Sequence, residues 1–129
     1  MRLIYLAHPY GGNERNVEDA EQMVKRLVKK FPGTVFLSPL QATGFYYNDI
    51  PYIDGMNHCI ELLSRCDELW LCEGWRDSKG CCMEYAAEKM AGKPIYSISD
   101  TLNLSPIFSP YQEQFSGRNP IGEKNETNL

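Results

Sequence analysis

Asp77-Ser78-Lys79-Gly80-Cys81-Cys82-Met83-Glu84-Tyr85-Ala86-Ala87-Glu88-Lys89-Met90-Ala91-Gly92-Lys93-Pro94 lies between two short apolar runs, Glu68 to Cys72 and Ile95 to Ile98. Such runs read as buried strands, and the segment between them as the crossover helix of a parallel pair. Ser78 or Asp77 can cap its start, and Gly92 with Pro94 closes its end. Met83, Ala86, Ala87 and Met90 recur at helical spacing and form the face expected to pack on the sheet. Glu84 falls outside that set, with Gly80 one helical turn before it. Helical side chains lean toward the N-terminus, so the carboxylate would stand over a position with no side chain, with room for a ligand above. The free N–H groups of the helix start suit an anion such as a phosphate, an effect of about 0.3–1 kcal/mol when exposed. The plainer reading of Glu84 is a solvated residue paired with Lys89.

On the N-terminal side, Leu3 to Ala7 reads as a strand, and His8-Pro9-Tyr10-Gly11-Gly12-Asn13 as a tight loop able to approach a ligand closely. The loop is neither a dinucleotide fingerprint nor a Walker loop. Asn13 caps a first helix whose inward residues are Val17, Ala20, Met23, Val24, Leu27 and Val28. Thr34 to Leu37 is a second strand. Leu40 to Asp54 reads as an irregular segment with Phe45, Tyr46, Tyr47 and Tyr52, aromatics that stack on a flat ring or else cover a core edge or subunit contact. Gly55 to Arg65 is the next helix, with Met56, Cys59, Ile60 and Leu63 inward. The alternation predicts an α/β three-layer sandwich with a mainly parallel, flavodoxin-like or Rossmann-like sheet of four to five strands. Ligands of such sheets sit at the strands' carboxyl ends, so the loops His8–Asn13 and Glu73–Gly80 are expected to converge.

The 129 residues suffice for one domain, placed at 1–100, followed by a polar tail at 101–129. Within the tail, Leu102, Leu104, Ile107, Phe108 and Tyr111 are the residues able to dock, with fraying beyond Ser116. A net charge of −4 without a basic stripe argues against a nucleic-acid polymer as partner. No apolar run is long enough for a membrane span, and the N-terminal one is too short for a signal peptide. Cys59, Cys66, Cys72, Cys81 and Cys82 are odd in number and lack paired metal-ligand spacing, which predicts reduced thiols, no zinc and a cytoplasmic setting. No metal or cofactor is expected. A phospho-receiver would need acidic residues where His8-Pro9 and Cys72-Glu73 stand, so that reading is set aside.

Three segments together resemble the nucleoside 2-deoxyribosyltransferase-like superfamily, including its small nucleotide N-hydrolase branch and related bacterial and phage proteins. They are Ile4-Tyr5-Leu6-Ala7-His8-Pro9, Cys66-Asp67-Glu68-Leu69-Trp70-Leu71, and Ser78-x-Gly80-x-x-x-Glu84 opening a helix. The match runs from Met1 to Ile98. It implies cleavage or transfer at an N-glycosidic bond of a nucleoside or nucleoside 5′-monophosphate. Glu84 falls on the family's nucleophile, Tyr5 on a tyrosine that holds that carboxylate, and Ser78 and Gly80 on a phosphate-contacting segment. His8, Pro9, Gly11, Tyr47 and Asp77 complete the expected substrate-binding set. The resemblance also implies self-association as a homodimer or larger homo-oligomer. The chain departs from the pattern where the family carries a second carboxylate: Cys59 stands there, beside His58. Asp54, one turn earlier, is the candidate replacement, with Asp49 and Asp77 as alternatives, and His58 or His8 as other proton donors. The competing reading is a protein of the same fold that binds a nucleotide or nucleotide signal without turnover.

Overall fold

The computed structural model describes residues 1–110; the expectations for Tyr111 and beyond Ser116 lie outside them. Nine elements of repeating structure follow in chain order: β1 (Arg2–Ala7), α1 (Glu14–Lys30), β2 (Thr34–Leu37), α2 (Pro39–Thr43), α3 (Tyr52–Ser64), β3 (Glu68–Cys72), α4 (Lys79–Met90), β4 (Ile95–Ile98) and β5 (Leu104–Phe108), with short 3-10 turns at Gly44–Tyr46 and Trp75–Asp77. The sheet has the order β2-β1-β3-β4-β5. β1 pairs in parallel with β2 and β3, and β3 with β4, whereas β5 runs antiparallel to β4.

Side chains alternate across the central strands, and each face has its own core. Ile4 and Leu6 of β1 and Trp70 and Cys72 of β3 join Met23 and Leu27 of α1. Tyr5 and Ala7, with Leu69 and Leu71, face the other way onto Leu63 of α3 and Cys81 of α4. Helix, sheet and helix therefore form the three expected layers. Tyr5 belongs to the α3/α4 side, which decides what it can touch.

The local signals act as the sequence suggests at several ends. Asn13 Oδ1 accepts the Arg15 N–H at 2.9 Å, and Ser78 Oγ accepts the Cys81 N–H at 3.3 Å. α3 lacks a glycine stop. Its last carbonyls are collected by Lys93, whose Nζ donates to Leu63, Ser64 and Cys66 at 3.3, 3.4 and 2.7 Å.

Four local expectations are corrected. The face of α4 that meets the core is Cys81, Glu84 and Glu88, while Met90 is 89 % exposed and Ala86 is exposed too. Of the apolar positions expected inward Ala87 does pack on the core, whereas two glutamates take the most buried places. α3 begins at Tyr52, a turn before Gly55. The segment from Leu40 to Asp54 is largely helical, holding α2 and the first 3-10 turn. Leu104–Phe108, placed in the tail, forms a strand at the sheet edge; the docking expected of Ile107 and Phe108 is met by their packing on the core.

Candidate functional site

The order 2-1-3-4-5 reverses direction between β1 and β3, which opens a crevice at their carboxyl ends. The two loops leaving those ends do meet. A Cβ built on Gly74 would stand 3.6 Å from Pro9 Cγ, an ordinary contact. Gly74 has φ +87, a left-handed conformation that favours glycine and turns the chain sharply out of β3 into the 3-10 turn.

Below this crevice lies a cavity of about 440 Å³. Its floor is Glu84, 5 % exposed, carried by the second turn of α4. The Tyr5 hydroxyl, on the adjacent face of β1, donates a short hydrogen bond to Glu84 Oε2. Burial pushes the Glu84 carboxyl up to about 7, against the opposing effect of the Tyr5 hydrogen bond. Tyr5 itself is pushed far up, first by burial and then by the neighbouring Glu84 charge, so it stays a phenol and a donor. The alternative Glu84–Lys89 pairing does not form; Lys89 Nζ instead lies 6.0 Å from the Tyr85 ring and 5.8 Å from that of Phe108.

The remaining sequence-predicted residues divide clearly. His8, Pro9, Gly11, Tyr47, Asp77, Ser78 and Gly80 all line the cavity. Tyr5 lies beneath it, fully buried. Asp54 does not reach it: the residue is exposed in the first turn of α3, outside the lining, because α3 turns its Tyr52, Met56 and Cys59 face inward instead. Asp49 and His58 are also outside the lining, with His58 Nδ1 held 2.9 Å from the Tyr46 hydroxyl. Arg76 stacks on Trp75 at 4.6 Å and leaves Lys79 as the cation of the wall.

The space over Gly80 is used differently from expectation. A Cβ there would meet the Tyr52 hydroxyl at 3.3 Å and Met56 Sδ at 3.4 Å. The missing side chain lets α3 approach α4 and brings Tyr52 over the cavity, rather than leaving an empty slot. Tyr10 and Tyr47 meet edge to face at 4.6 Å, and Tyr47 meets Tyr52 at 6.2 Å, giving an aromatic wall opposite the carboxylate. Tyr10 and Met56 were not singled out as site residues, whereas Tyr52 was expected among the ring-stacking aromatics and Cys59 at the position of the family's second carboxylate. Their signal was present: Tyr52, Met56 and Cys59 follow the i, i+4, i+7 spacing of one helix face, visible once the helix is started at Tyr52.

Ser78 caps α4 through its oxygen, so its hydroxyl proton is not committed by that bond. The N–H groups of Lys79 and Gly80 belong to the first turn and have no intrahelical acceptor. Among the described residues no group of three or more His, Cys, Asp or Glu side chains has the arrangement of a metal site. All five cysteine thiols are free; burial pushes Cys81 up to about 12 and raises Cys59 as well. No described helix is long and apolar enough to cross a membrane.

No curated protein matches the chain significantly. Among solved structures it is similar to a 2-deoxyribosyltransferase from the psychrotolerant bacterium Bacillus psychrosaccharolyticus, with a TM-score of 0.51 and 22 % identity over 75 % of this chain and 72 % of that one. At that identity the likeness concerns the fold, which both share as a sheet flanked by helices. A family model described as Domain of unknown function (DUF4406) matches residues 2–97, which carry β1 to β3, all of β4 but its last residue and the whole cavity wall, and the chain belongs to that family.

Proposed function

We propose that the protein cleaves or transfers the N-glycosidic bond of a nucleoside or nucleoside 5′-monophosphate, with Glu84 as nucleophile. The observation that carries this is a buried carboxylate, oriented by a buried tyrosine, at the floor of a cavity walled by tyrosines. Departure of a base develops positive charge at C1′ of the sugar. A carboxylate within bonding reach stabilises that charge and captures the carbon as an ester, which water or a second base then resolves. Desolvation strengthens the attraction between Glu84 and the developing cation, and the Tyr5 hydroxyl holds the carboxylate in one orientation. The aromatic wall suits a flat heterocycle, and Ser78 with the first N–H groups of α4 suits a sugar hydroxyl or a 5′-phosphate. Likeness in fold to a 2-deoxyribosyltransferase supports the same reading.

The test is incubation with a panel of ribo- and deoxyribonucleosides and their 5′-monophosphates, with chromatography for free base. Base release that disappears in Glu84→Ala supports the proposal; no release from any substrate rejects it. A second reading, ligand binding without turnover, is favoured by the position of Asp54 outside the cavity. It predicts that a nucleotide raises Tm and is recovered intact.

A further inference from the structure

We infer that His8 delivers the proton to the departing base and takes one from the attacking water; this assignment rests on the reaction proposed for Glu84. His8 follows the last residue of β1, three positions after Tyr5, and lines the Glu84 cavity. Its Nδ1 lies 2.8 Å from the Pro9 carbonyl oxygen. A carbonyl only accepts, so Nδ1 carries a proton and the neutral ring offers Nε2 as the working nitrogen. The same residue also lines an adjoining groove of about 600 Å³. That groove is walled by Asp19, Arg26, Glu73 and Asp100, a polar setting through which an imidazole can exchange protons with water. His8 therefore stands at the partition between the reaction chamber and a groove that carries charged side chains.

The alternatives in the chamber serve less well. The phenol of Tyr52 is raised by burial, which makes it a weaker acid. Asp77 lines both spaces too, but it is exposed in the turn before α4, where a carboxylate suits a sugar hydroxyl. The steps balance with His8 in place. The imidazolium gives its Nε2 proton to the base nitrogen as the C1′–N bond breaks and its electron pair goes to that nitrogen, while a Glu84 oxygen bonds C1′. Water oxygen then bonds C1′, its proton passes to Nε2, and the C1′–O pair returns to the Glu84 carboxylate.

The experiment compares two substrates: the nucleoside that the wild-type protein cleaves fastest, and the p-nitrophenyl glycoside of the same sugar, whose phenolate leaves without a proton. His8→Gln keeps an amide near the Nε2 position, and His8→Asn keeps a donor near the Pro9 carbonyl; neither can deliver a proton. In the first turnover each is expected to lose about 100-fold or more in base release but under about tenfold in the p-nitrophenolate burst, the size of a general-acid contribution, while the later attack of water slows for both substrates. Asp77→Asn is expected to affect both substrates alike. Equal first-turnover losses on both substrates in the His8 variants, no loss in either, or the discrimination appearing in Asp77→Asn instead overturns the assignment. If the wild-type protein cleaves neither substrate, the Glu84 reading falls with it; if Glu84→Ala is dead while the His8 variants act like wild type, only His8 is misassigned.

Discussion

Tyr5→Phe removes one oxygen and leaves the ring in the core, so its effect isolates the hydrogen bond to Glu84. Tyr5 is fully buried, so phenylalanine leaves that side of the Glu84 carboxylate facing an apolar ring in place of the donor. A hydrogen bond to a charged group contributes about 1.5–3 kcal/mol, and one pKa unit corresponds to about 1.4 kcal/mol, so the Glu84 carboxyl should climb by one to two units. It starts at about 7, where burial already holds it. At pH 7 the ionised fraction would fall from near one-half to about one-tenth or less by the same conversion. The acid limb of the pH–rate profile for p-nitrophenolate release, a departure that needs no proton from His8, should move up accordingly. A site-selective carbon-13 label on Glu84 would follow the same titration without turnover. An unchanged midpoint, or one that moves down, would refute the reasoning, because it would mean that the phenol does not hold the charged form.

Further outcomes follow from the same geometry. Gly80→Ala should push the Tyr52 hydroxyl and Met56, which its Cβ would meet at 3.3 and 3.4 Å, and so weaken nucleoside binding in calorimetry while changing Tm little, since alanine favours the helix. Gly74→Ala has room for its Cβ but a left-handed φ of +87, and should cost about 1–2 kcal/mol in urea unfolding. Glu88 is 1 % exposed, has no hydrogen-bond partner for either oxygen, and lies 3.7 Å from Lys93 Nζ; burial raises its carboxyl to about 7 despite that lysine. A carboxyl raised in the folded state holds its proton where the unfolded chain has lost it, so its contribution to stability is fully present below about 4.5 and is lost as pH rises through about 7. Glu88→Gln should therefore flatten the fall of Tm over that window, and an unchanged slope would contradict the burial argument.

Much of the architecture was legible because strand runs and crossover helices have different periods. The fully apolar β1 and β3 cores and the Ser78 and Asn13 caps can be read residue by residue. The Ser78–Gly80–Glu84 spacing led to the cavity. The inward face of α4 was not legible from hydropathy: Glu84 and Glu88 are charged by type, and tertiary contact with Tyr5 and Lys93 brings them inside. The start of α3 was hidden because Gly55, a poor helix former, sits in its first turn and Pro51 precedes it. That error hid that Tyr52 shares the inward face of Met56 and Cys59, and made Asp54 look closer to the site than it is. β5 was missed because Ser105 and Pro106 interrupt its apolar pattern; as an edge strand it tolerates a proline that an inner strand would not.

The central claim is that a Glu84 oxygen bonds to the sugar. A nucleoside with fluorine at the 2′ carbon slows both halves of such a reaction, and a good leaving base lets the first half proceed, so the ester should accumulate. Intact-mass measurement after acid quench, followed by peptide mapping, reads it directly. The expected result is a gain equal to one fluorinated sugar residue, confined to the peptide containing Glu84 and absent from Glu84→Gln. Base release by the wild-type protein with no adduct at any time, or an adduct on another residue, would contradict it.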